Sequence, residues 1–191
     1  MVMEENKTFT ANLYVNGLPL VLNQQRLKSR LGDPRITKRE QLDVEVALAD
    51  RGASSILTLA DHEDDTPLLF KFVPHGDNYA VTVVLRGTYE GWRLKIEADT
   101  RHVSVSDKAG SDFFSISKRG APKAGFADLA PGPSYVYIVS EADGRALYRA
   151  EDSGKIIFKN IDPNRTGHDA FNNKPATFVL KVIQASAAAE E

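Results

Sequence analysis

A single-domain, all-β fold is predicted for this 191-residue chain by three observations. Apolar and polar residues alternate with a period of two in many short segments, which places one face of each segment in a core. Turn-forming residues separate the segments: Asn16-Gly17, His75-Gly76-Asp77, Asp143-Gly144 and "APGPS" at 130–134. A Gly-x-x-Leu unit recurs at 17–20, 91–94 and 144–147, each time inside a hairpin-like stretch.

In chain order, "NLYVN" (12–16) and "LPLVLN" (18–23) form the first two strands around Asn16-Gly17. "NQQRLKSRL" is the best helical candidate, and Gly32-Asp33-Pro34 would end it. "QLDVEVAL" alternates cleanly, with Leu42, Val44, Val46 and Leu48 on one face and Asp43 and Glu45 on the other, so 42–48 reads as an additional strand. The strands "SILTLA" (55–60), "LLFKFV" (68–73) and "YAVTVVLR" (79–86) follow. "GWRLKIEA" (91–98) sets Trp92, Leu94 and Ile96 against Arg93, Lys95 and Glu97. After it come "HVSVSD" (102–107), "FFSISK" (113–118), "YVYIVS" (135–140), "RALYRAE" (145–151), "KIIFKN" (155–160) and "TFVLKVI" (177–183).

These strands group into three units of four. The units cover about 9–75, 79–120 and 135–183, with an insertion at 23–41 in the first and a tail at 184–191. A four-stranded unit cannot close a core alone, whereas three packed around an axis can bury their apolar faces together and leave few free edges. The arrangement resembles the β-trefoil superfamily. "SYVYIVSEADGRALYRAED" is similar to the opening hairpin of a ricin-B-like repeat, and "GWRLKIEADTRHVSVSD" to a fascin-type repeat. "NNKPATFVLKVI" (172–183) resembles the closing strand of Kunitz-type trefoil protease inhibitors. The alternative architecture is a β-sandwich.

Composition limits function. The chain is 42% hydrophobic and 26% charged, with a formal net charge of −2, too near neutral for bulk electrostatics to indicate nucleic acid or membrane. There is no cysteine, which excludes disulfides, thiolate metal sites and a cysteine nucleophile. No apolar stretch approaches a membrane span, and "MVMEENKTFTAN" shows no signal peptide. The expected location is cytoplasmic, or secreted without a visible signal peptide. No phosphate-binding loop, dinucleotide fingerprint or nucleophile elbow occurs, so no catalytic residue and no cofactor is assigned. The acidic run at 61–65 around His62 matches no calcium-loop spacing, and no metal is assigned there. His75 near Asp77, and His168-Asp169, lack a nucleophile, and the sequons at Asn6 and Asn164 matter only in a secreted eukaryotic chain.

The expectation is a non-enzymatic binding module. The resemblance implies carbohydrate as ligand; the alternative is a protein ligand, as for a protease inhibitor or a toxin or host-interaction protein. Sugar recognition needs an aromatic platform with nearby carboxylates or amides. Tyr89, Trp92, Asp99 and His102, on one hairpin, are the candidate ligand-binding residues, although Trp92 shares the apolar face of Leu94 and Ile96. Where ricin-B-like repeats carry the sugar-binding Asp after the Leu of Gly-x-x-Leu, this chain has Val21, Lys95 and Tyr148, and the family's Gln-x-Trp signature is missing. The loop 121–134 is the candidate protease-binding loop. The insertion carries Arg26, Lys28, Arg30, Arg35, Lys38 and Arg39; with no interleaved aromatic it reads as a solvated excursion, the alternatives being a basic arm for phosphate, a sulfated sugar or an acidic protein, or an Arg or Lys presented to a trypsin-like protease.

Overall fold

The computed structural model describes residues 7–85, 87, 89–107, 112–129, 132–142, 144–152, 155–161 and 174–185. Its strands are β1 (Phe9–Val15), β2 (Leu18–Leu22), β3 (Leu57–Leu59), β4 (Leu69–His75), β5 (Asn78–Val84), β6 (Arg93–Ile96), β7 (Val103–Ser106), β8 (Phe114–Ser117), β9 (Ser134–Ser140), β10 (Arg145–Ala146), β11 (Tyr148–Asp152), β12 (Lys155–Lys159) and β13 (Phe178–Ala185). Helices α1 (Asn23–Leu31), α2 (Lys38–Ala49) and α3 (Arg51–Ser54) lie between β2 and β3, and α4 (Phe126–Leu129) precedes β9. The fold is all-β in its core, as the alternation predicts.

Six strands close a ring. β1 pairs with β4 and β13, β5 with β4 and β8, and β9 with β8 and β13, all antiparallel. Every second residue points inward. Phe9, Ala11, Leu13 and Val15 of β1 meet Phe70 and Phe72, Val81 and Val83, Phe114 and Ile116, Val136 and Ile138, and Phe178 and Leu180 in one buried cluster. Closure leaves no ring strand with an unpaired edge, which removes a route to aggregation.

Of the other strands, the two-residue β10 adds to β9, and the rest form three antiparallel pairs, β2 with β3, β6 with β7 and β11 with β12. The pairs also touch each other. Ile56 bridges Ser104 and His102 bridges Lys159, while the Thr58 hydroxyl donates to the Ile156 carbonyl at 2.5 Å. The recurring Gly-x-x-Leu has one structural meaning in all three copies. Gly17, Gly91 and Gly144 have φ of +82°, +73° and +67°, a left-handed turn that a side chain resists. Three residues on, Leu20, Leu94 and Leu147 are buried in the shared core. In the first and third copies the leucine carbonyl also accepts from a backbone N–H just before the returning ring strand, Leu68 onto Leu20 at 3.2 Å and Ala176 onto Leu147 at 2.9 Å.

The segment 42–48 is not a strand but part of α2. Its alternation is real, yet only Val44 is buried. Leu42 and Val46 face solvent, and Leu48 is half-buried. The helix is set by its start. Thr37 is the N-cap, and its hydroxyl accepts from the Glu40 N–H at 3.2 Å. Thr37-x-x-Glu40 is the sequence pattern of a capping box, and it outweighs a four-residue period-two pattern that finds no neighbouring edge. Thr37→Ala is expected to destabilise the protein by about 1 kcal/mol, read as a lowered melting temperature and faster amide exchange in 38–49.

The best helical candidate, a few residues of 23–31, lies in α1, which takes in the whole stretch. Gln25 reaches back to the Leu22 N–H at 3.1 Å. The loop at 121–134 is tacked onto the barrel through residues 121–129. Ala124 and Leu129 are buried, Ala124 accepts from the Tyr79 hydroxyl at 3.0 Å, and the Asp128 carbonyl accepts from Lys118 Nζ at 2.8 Å. Both sequons and His168-Asp169 include residues outside those described.

Candidate functional site

The four residues expected at a ligand site lie at the two ends of β6. Tyr89 is fully buried, packs edge-on against Trp92 at 4.7 Å between centroids, and shares a hydrogen bond between its hydroxyl and that of Ser54. Trp92 is half-buried against the main core. This pair ties the β5–β6 connection to α3. Asp99 is exposed in the β6–β7 turn. In that turn Arg101 has φ +64° and His102 Nδ1 pairs with the Thr100 hydroxyl. Four strand residues separate the two pairs, a span of about 13 Å. Tyr89 and Trp92 are brought together, Asp99 and His102 lie in or beside one turn, and the two pairs are not brought together with each other.

A wet aromatic surface occurs elsewhere, on the outer wall of the barrel. In β9 the inward positions are Val136 and Ile138, so Tyr135 and Tyr137 point outward, 75% and 42% exposed. Val179 of β13 stands opposite Tyr135, and Tyr14 of β1 stands opposite Val179. Strands are about 4.8 Å apart, so Tyr14 and Tyr135 flank Val179 in a row about 10 Å long, with Tyr137 about 7 Å further along β9. Polar groups rim the patch. Asn12 and Lys181 are paired one step beyond Tyr14 and Val179 on the same face, and Ser117 lies opposite Tyr137. The surface lies on the outside of the closed ring, carries phenol side chains, and has an amide, an ammonium and a hydroxyl at its margin. In the sequence the patch is inconspicuous because each tyrosine sits in a good strand. The usable signal was parity: in "YVYIVS" the valine and isoleucine take the core, which leaves the tyrosines to water.

A second polar feature lies at the insertion. A cleft of about 380 Å³ runs between α1 and the acidic loop at 61–66, with Lys28 and Ser29 on one wall and Asp64 and Asp65 on the other. No aromatic residue lines it, so it offers hydrogen bonds without a stacking surface. At its edge Asp61 is held by two arginines, Arg26 Nε at 2.9 Å and Arg30 Nε at 3.0 Å. Burial pushes the Asp61 carboxyl up, but hydrogen bonds and charge from Arg30 and Arg26 outweigh that and hold it below the usual carboxylate range. Two of the six cations of the insertion are thus spent on holding α1 to the barrel. Asp65 Oδ2 accepts from the His62 N–H at 3.1 Å, a turn-closing contact. Among the described residues, no group of three or more His, Asp or Glu could hold a metal ion.

The fold and this surface define a closed antiparallel barrel with an aromatic outer patch. No protein-family model matches the chain, and no curated protein or solved structure does. No helix among the described residues is long and apolar enough to cross a membrane.

Proposed function

We propose that this protein is a β-trefoil acting as a non-enzymatic carbohydrate-binding module, and that the outer-wall tyrosines form its platform. The trefoil reading is supported by the order of pairings: each sequence unit supplies two ring strands with a hairpin pair between them, and each hairpin begins at a left-handed glycine. The carbohydrate reading rests on Tyr135 and Tyr137, outward on one strand beside Val179 and Tyr14. Sugar rings have apolar faces that stack on phenol rings, and their hydroxyls need polar partners at the margin, here Asn12, Lys181 and Ser117. An open outer wall suits an extended glycan rather than a single enclosed sugar. This places recognition away from the loop pocket of ricin-B-like modules, where the expected Asp is replaced by Val21, Lys95 and Tyr148.

Glycan-array binding with competition by free sugar tests the reading. Tyr135→Ala with Tyr137→Ala should weaken glycan binding by about tenfold or more, because each stacked ring contributes on the order of 1 kcal/mol. The melting temperature should move little, since both side chains are exposed. Absence of glycan binding, or binding unaffected by the double substitution, rejects it; binding of a protein lost in the same variant would assign the patch to the protein-ligand alternative.

A further inference from the structure

Helix α2 carries an apolar stripe that the barrel does not use. Leu42 and Val46 are 62% and 72% exposed, and on a helix they share one face with Arg39 and Ala49. Val44, on the opposite side, is the only buried residue of the twelve. Twelve residues make a marginal helix when little of it is buried. The ends are also charged against the helix field. Lys38 and Arg39 open the helix beside the single acid Glu40, the last turn has no basic residue, and Asp50 follows it.

We propose that two copies of this chain pair through α2, antiparallel about a two-fold axis. The stripe reads Arg39, Leu42, Val46, Ala49, with Asp50 beyond. Turned end for end, it complements itself. Leu42 of one copy lies on Val46 of the other, and Arg39 of one lies beside Ala49 and Asp50 of the other. The N-terminal cations of each helix then meet the C-terminal carbonyls and the acid of its neighbour, so the charge order that disfavours a lone helix favours the antiparallel pair. A parallel pair would set Arg39 against Arg39. Two helices about 18 Å long bury much less than the roughly 1,200 Å² of a stable interface, so the dimer is reversible and concentration-dependent.

Sedimentation equilibrium of the full chain from about 10 µM to about 1 mM tests this. The weight-average mass should rise from 21.0 kDa toward twice that value. Leu42→Asp with Val46→Asp should abolish the rise while leaving the thermal melt in place, because both positions are exposed. Arg39→Glu should raise the dissociation constant by about tenfold. The chain has no cysteine, so register is testable by oxidation. A mixture of Leu42→Cys and Val46→Cys chains should cross-link as a heterodimer faster than either variant links to itself. A mass fixed at 21.0 kDa throughout, a dimer untouched by the double aspartate variant, or preferential self-linking of Leu42→Cys would each overturn the proposal.

Discussion

Replacing Phe72 with alanine is expected to destabilise the protein by about 4 kcal/mol, the middle of the range for a buried aromatic. Phe72 is fully buried where the ring closes, because β4 is paired to β1 on one side and to β5 on the other. Its ring stacks on Phe9 at 4.9 Å and 7° and meets Tyr79 edge-on at 5.7 Å. Phe126 of α4 packs on Phe9 as well, tilted at 5.7 Å. Truncation would open a void in a four-ring cluster centred on Phe9, three of whose members sit in a closed strand ring and cannot collapse inward without breaking register. For a chain of this size, a loss of about 4 kcal/mol corresponds to a melting temperature lower by roughly 8–16 °C in calorimetry. A change below about 1 kcal/mol would mean that the cluster does not hold the barrel.

The second large effect is at Asp61. Asp61→Asn should cost about 2–3 kcal/mol, because it leaves the guanidinium of Arg26, itself only 9% exposed, without its counter-charge. The Arg30 arm is more exposed and contributes less. The acid profile gives the sharper test. The folded carboxyl titrates below its ordinary value of 3.8, so its contribution is complete at neutral pH and above that value. It falls as pH drops from 3.8 through the folded value, where the native state must take up a proton it otherwise lacks. The wild type should therefore exceed the Asn variant in melting temperature at pH 7, and the two should converge in strong acid. Hydrogen exchange should locate the loss in 23–54. Parallel melting curves at every pH would mean that Asp61 does not fasten α1.

Much of the barrel was legible because each strand carries its own period-two pattern and each hairpin its own turn residues. The bounds from Phe9–Val15 to Phe178–Ala185 follow the alternation within a few residues. The recurring glycines were legible as well, since one backbone requirement at three places leaves one residue type at three places. What misled was α2. Leu42, Val44, Val46 and Leu48 satisfy a strand template locally, and the deciding signal was the Thr37–Glu40 cap, four residues before the pattern becomes clear. The Asp61 clamp could not be read, because Arg26 and Asp61 are 35 residues apart and only the returning chain brings them together. Tyr89 and Trp92 stand out in the sequence as an aromatic cluster near a turn, while the alternation of Trp92 with Leu94 and Ile96 assigns it inward. Tyr135 and Tyr137 had the opposite parity and were available to water.

The excursion from Asn23 to Ser55 leaves and rejoins the barrel at one spot. The Asn23 N–H donates to the Ile56 carbonyl at 2.8 Å, and its side chain donates to the Ala53 carbonyl at 3.1 Å. Its two ends are therefore stitched side by side, and the strands on either side are already in register with each other. Such a junction behaves like a socket. Lengthening, shortening or exchanging what plugs into it alters the closure entropy only logarithmically and leaves the ring's geometry alone. This makes the β2–β3 connection the place where the scaffold can acquire or shed an appendage while its barrel stays the same.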